Sequence, residues 1–115
     1  MKIDRGDVIL VLFPNSDLRT AKRRPALVVQ ASDLRSGLAQ TIVAMISSNM
    51  SRAGHASRVR VDLGSPQATG AGLRTDSVIM TDNLATVRHA EIDRVIGRFE
   101  PIDLVNAALR HTLGL

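Results

Sequence analysis

Three short apolar runs limit what this chain can become. "DVILVLF" (7–13), "ALVVQ" (26–30) and "TIVAMIS" (41–47) are strand-length and rich in β-branched residues. None alternates cleanly between apolar and polar positions, which is the pattern of strands covered on both faces. "SRVRVDL" (57–63) does alternate: Val59, Val61 and Leu63 are expected to face inward, with Arg58, Arg60 and Asp62 outward. "DSVIMT" (76–81) and "RVIGRF" (94–99) read as two further strands. A helical pattern is clear only in "EPIDLVNAALRHTLGL" (100–115), where Ile102, Val105, Leu109 and Leu113 form a stripe at helical spacing. Pro101 suits its first position, Asp103 the positive end of its dipole, Arg110 and His111 the negative end, and Gly114 the stop.

Short strands followed by one terminal helix predict a mostly β domain, a small antiparallel β-barrel, spanning residues 1–115. "SNMSRAGHAS" (48–57) and "GSPQATGAGLRT" (64–75) read as mobile loops, and "SDLRSGLAQ" (32–40) as a loop or a helical turn. No apolar run approaches the ~20 residues of a membrane span. "MKIDRGDV" has acids where a signal peptide has its apolar region, so a cytoplasmic protein with no membrane attachment is expected. The chain has no Cys, which excludes disulfides and thiolate metal sites.

Charge narrows the partner. The net charge is +4, and all but Lys2 and Lys22 of the 15 basic residues are Arg. Guanidinium groups grip phosphate through two parallel hydrogen bonds, whereas an ammonium is a point charge. Phe13 and Phe99 are the only aromatic residues, too few for a base-stacking platform. The cations concentrate in "LRTAKRRPALVVQ" (18–30), where Arg19, Lys22, Arg23 and Arg24 crowd into a loop at residues 14–24. Such a cluster repels itself unless a polyanion or an acidic partner visits it.

"RGDVILVLFP", "RRPALVVQ", "TIVAMISSN" and "DSVIMTDNLATV" follow one another in the order and spacing of the MazF/PemK-type toxins, which this chain resembles over nearly its whole length. The closing "IDRVIGRF" and the last helix fit too. The resemblance implies an SH3-like barrel, a homodimer, a cognate acidic antitoxin, and sequence-selective cleavage of single-stranded RNA with no metal or other cofactor. RNA brings its own nucleophile: the 2′-OH attacks the adjacent phosphorus and expels the 5′-oxygen. The reaction needs a base for the 2′-OH, an acid for the leaving oxygen, and cations or donors around the phosphorane.

Arg24 is the first candidate, because Pro25 biases it to extended backbone and the family's Arg of this "RP" pair is catalytic. The family's hydroxyl at the end of the third strand falls on Ser47, a Ser where Thr is usual. Asp82 aligns with an acid that some members use, as a base or to orient Arg24; it also sits in "TDN", where Asp favours turns. Arg19, Lys22, Arg23, Arg52, Arg58 and Arg60 are the expected RNA-binding cations. Relatives carry an Arg where this chain has Met80 or Ala85, and Arg74 and Arg88 are the cations that could take over. His55 is the rival proton shuttle. His89 and His111 read as surface residues, and Asp76, Asp82 and His89 have no metal-site spacing. Two other functions fit a barrel of this kind: a non-catalytic RNA-binding module, and a gyrase poison, against which the non-aromatic end "HTLGL" speaks.

Overall fold

The computed structural model describes residues 2–14, 17 and 19–115. The apolar runs become β1 (Asp7–Pro14), β2 (Ala21–Val28) and β3 (Gln40–Ser47), which lie side by side in one antiparallel sheet. β4 (Arg58–Val61), β5 (Ser77–Arg88) and β6 (Ile92–Arg98) complete it in the order β4-β5-β3-β2-β1-β6. The expected small, mostly β architecture holds, and the sheet is open, with β4 and β6 as its edges.

Both faces of the central strands are covered, which is why their sequences do not alternate. One core gathers Val8, Leu27, Ala44, Ile46, Ile79 and Phe99 beneath two helices. These are α1 (Pro66–Ala71) and α2 (Asp103–Leu113). The other core lies on the opposite face and is built from Ile9, Val11, Ala26, Val28, Val43, Val87 and Ile92.

Several elements differ from expectation. The basic cluster is not a loop: Lys22, Arg23 and Arg24 lie inside β2, opposite Phe13, Leu12 and Val11 of β1. Asn15, Ser16 and Leu18 of that expected loop lie outside the described residues. Residues 64–75 are not all loop either, because Ser65 caps α1 by accepting from the Ala68 N–H, Pro66 opens it, and Gly72 ends it at a φ of 72°. A 3-10 turn, Met50–Arg52, occupies part of 48–57. Leu63 and Leu113, both expected inside, are 57% and 54% exposed. Ala108, not Leu113, completes the buried face of α2 with Val105. Helix α2 begins at Asp103 with Ile102 as its cap, so Pro101 precedes the helix, while Gly114 ends it as expected.

β5 is twice the length expected, and Asp82 lies within it rather than at a turn. The register with β3 jumps from Ala44 opposite Leu84 to Met45 opposite Met80, which leaves Thr81, Asp82 and Asn83 as a bulge. Thr81 points into the protein, donating to the Ser57 carbonyl and meeting the Thr112 hydroxyl of α2 at 2.7 Å.

Two glycines let α1 close onto β6. A Cβ on Gly72 would stand 2.3 Å from the Ile96 carbonyl oxygen, and one on Gly97 would stand 2.4 Å from the Ala71 carbonyl carbon. No side chain can yield there, since the obstacles are backbone. Gly97→Ala is therefore expected to destabilise the fold by about 2–3 kcal/mol, at the upper end of overpacking costs. A thermal melt checks this, with Gly70→Ala as the comparison, because its new carbon would make only an ordinary 3.5 Å contact with the Arg98 carbonyl oxygen.

Candidate active site

The basic strand and the third strand part company at Pro25. β3 joins β2 at only three pairs, Ala26 with Met45, Leu27 with Ala44 and Val28 with Val43. Pro25 has no N–H to give a ladder, and β3 pairs with β2 only beyond it. Continuing the same register by two residues would set Arg24 opposite Ser47, but there Arg24 stays with Val11 of β1 and Ser47 with Val78 of β5. The strands splay, and both residues line the resulting cleft of about 1480 Å³.

Six cations line that cleft: Lys22, Arg23, Arg24, Arg52, Arg74 and Arg94. Among the described residues no carboxylate and no imidazole lines it; the other polar groups include Ser48, Asn49, Thr75 and Asn83. Met80 and Ala85 line it too, so the two positions where the resemblance led to the expectation of an Arg face the same space. Asp93, outside the lining, holds Arg23 at 3.0 Å and Arg94 at 3.8 Å. Such an arrangement attracts a polyanion, and a guanidinium beside a hydroxyl can stabilise the charge that develops on a phosphorane.

The sequence candidates divide between inside and outside this cleft. Arg24, Ser47, Lys22, Arg23 and Arg52 line it. Arg19 lies in the turn before β2, with its backbone N–H on Asp17 at 2.9 Å. That bond is the chief cause of an Asp17 pKa below the usual carboxylate value. Arg60 is engaged by Asp62 at 2.7 Å and is held above its ordinary pKa by that hydrogen bond first. Arg58 grips Asp82 with two nitrogens, Nη2 to Oδ2 at 2.9 Å and Nε to Oδ1 at 3.4 Å. A third nitrogen of Arg58 donates to the Arg52 carbonyl at 3.1 Å, which links Asp82, itself outside the lining, to the turn that carries Arg52. His55 is committed elsewhere: its Nδ1 accepts from the Ser57 N–H at 3.1 Å and lies 2.7 Å from the Ser57 hydroxyl.

Arg94, Asn49 and Asn83 were not foreseen, and Arg74 only as a substitute. The usable signal for Arg74 was its place just after the Ser65-Pro66 start and Gly72 stop of α1, which fixes its backbone. Among the described residues no three His, Cys, Asp or Glu side chains gather as a metal site.

The Arg58 hydrogen bonds are the main reason the Asp82 carboxyl lies below its ordinary pKa of 3.8, with the nearby charges of Arg58 and His55 adding to them. A lowered folded-state pKa means this contact supports the fold fully above the unfolded value and is lost as pH falls through the folded one. NMR titration of the Asp82 carboxyl is expected to show its pKa rising toward 3.8 in Arg58→Ala, with the stability difference between wild type and Arg58→Ala shrinking below pH 4.

The fold has known counterparts. The Mycobacterium tuberculosis toxin MazF-mt6 superposes with a TM-score of 0.73 at 24% identity, over 95% of this chain and 97% of its own. A mycobacterial endoribonuclease in complex with its cognate antitoxin gives 0.73 at 21%, over 98% and 96%. A MazE-MazF structure from Deinococcus radiodurans gives 0.72 at 18%, over 100% and 98%. A comparison with curated protein sequences returns no match. The family model described as PemK-like, MazF-like toxin of type II toxin-antitoxin system matches residues 4–113, and the chain belongs to that family.

Proposed function

We propose that the β2/β3 cleft is the active site of a sequence-selective, metal-independent endoribonuclease that cuts single-stranded RNA. The observation that carries this is that Arg24 and Ser47 line one cleft from the two strands that splay apart, with no carboxylate among its described lining residues. Mycobacterial relatives described as endoribonucleases support it. In this reading the RNA 2′-oxygen bonds to phosphorus, the P–O5′ bond breaks, and a 2′,3′-cyclic phosphate and a 5′-hydroxyl result. Arg24 holds two non-bridging oxygens as their charge grows, and the Ser47 hydroxyl donates to one of them. The 2′-OH proton is released to solvent and the leaving 5′-oxygen is protonated from solvent. Asp82 is a weak base near neutral pH because its pKa is depressed, and it serves by holding Arg58. The chain acts as a homodimer, and an acidic antitoxin silences it by occupying the cationic cleft.

Arg24→Ala is expected to lower the single-turnover rate at saturating enzyme by ~10²-fold or more, the scale of losing one transition-state donor. Arg24→Lys is expected to restore little, because an ammonium lacks the planar two-point grip. Cleavage should persist in excess EDTA and leave the cyclic phosphate. An Arg24→Ala protein that cuts at the wild-type rate, or activity that vanishes with EDTA and returns with magnesium, would overturn the mechanism. A chain that binds RNA tightly and never cuts it would leave the non-catalytic module.

Antitoxin binding is expected to weaken as salt rises and to compete with RNA. Titrating labelled RNA into the toxin–antitoxin complex checks this, since undiminished RNA affinity would place the two partners on separate surfaces.

A further inference from the structure

The six cations of the cleft are not equivalent. Arg23 and Arg94 share Asp93, and Arg52 directs Nη1 at the Met80 sulfur, 3.6 Å away. Lys22, Arg24 and Arg74 make no ion pair or side-chain hydrogen bond with any described residue. Lys22 and Arg24 share β2, whereas Arg74 arrives from a separate segment, the connection between α1 and β5.

That connection is anchored on both sides of Arg74. Gly72 lies against the Ile96 carbonyl of β6, and Leu73 is buried with its N–H on the Ala68 carbonyl at 3.0 Å. On the other side the Ser77 hydroxyl donates to the Thr75 carbonyl at 2.9 Å, and Asp76 accepts the Leu63 N–H at 2.7 Å. Arg74 is therefore an exposed guanidinium on a fixed backbone, facing a space shared with five other cations. Like charges held so close cost stability in the free protein, and an anion in the cleft relieves it.

The geometry points to Arg74 as a binding residue that grips a phosphate flanking the scissile one, from a different part of the chain than Arg24. This rests on the RNA-cleaving reading of the cleft. The splay between Arg24 and Ser47 takes the scissile phosphate, and a cleft of about 1480 Å³ extends well beyond one phosphate. Arg74 thus holds the strand in register while taking no part in bond making or breaking.

The test uses the full chain and a 2′-O-methyl RNA strand, which keeps every phosphate but lacks the nucleophile. Arg74→Ala is expected to weaken its binding about 10-fold and to reduce the salt slope by about 0.7, the value of one phosphate contact on a single strand. Arg74→Lys should keep the slope, and the saturated single-turnover rate of Arg74→Ala on cleavable RNA should stay within about threefold of wild type. Arg110→Ala, a charge change on the exposed end of α2, should leave affinity unchanged. Unchanged affinity and slope in Arg74→Ala, or an equal loss in Arg110→Ala, would overturn the assignment. So would a collapse of the saturated rate, which would make Arg74 part of the chemistry. If wild type cleaves no RNA at all, the endoribonuclease reading falls, while the binding arm still decides whether Arg74 holds phosphate.

Discussion

Everything at the site follows from the place where two strands stop pairing. A sheet whose central strands stayed hydrogen-bonded along their length would have no room for a ligand between β2 and β3. Pro25 breaks that continuity with one missing donor, and each strand then follows its other neighbour, β2 staying with β1 and β3 with β5. The arginine just before the proline is left extended on a strand paired with β1, with no β3 residue beside it. Rigidity and openness, normally in conflict at a binding site, arise here from the same residue.

The second constraint is the tight seat of α1 on β6. Six residues of "PQATGA" carry too little apolar surface to hold a helix by burial alone. The contacts at Gly72 and Gly97 are backbone against backbone, and they bring the helix close enough for Ala68 and Ala71 to enter the main core. A short helix of small residues is thereby fixed, and the connection after it is held over the cleft.

The strands with apolar faces on both sides were legible in the sequence because burial on two faces leaves an uninterrupted run. The first half of β2 was not, because Ala21–Arg24 pairs with β1 alone and its polar residues look like loop. Helix α1 left no stripe to read, only its caps. "TDN" has turn chemistry, yet it is a bulge in the middle of a twelve-residue strand, since β3 pairs on both sides of it and the Thr81 N–H and hydroxyl both donate to the Ser57 carbonyl. Of the candidate site, Ser47 was reached through the family resemblance, and Arg24 through that resemblance together with the proline that follows it. Arg94 and the Arg58 grip on Asp82 depend on segments far apart in sequence, and no single run of residues announces them.

The cationic cleft also sets two opposite responses to the same variable. Self-repulsion among Lys22, Arg24 and Arg74 works against the folded state, and added salt, by screening it, lowers that cost. The same screening weakens the hold on any polyanion. Folding and binding therefore draw on one store of charge with opposite signs. A bound acidic ligand stabilises the protein most at low ionic strength, where the empty cleft is least comfortable.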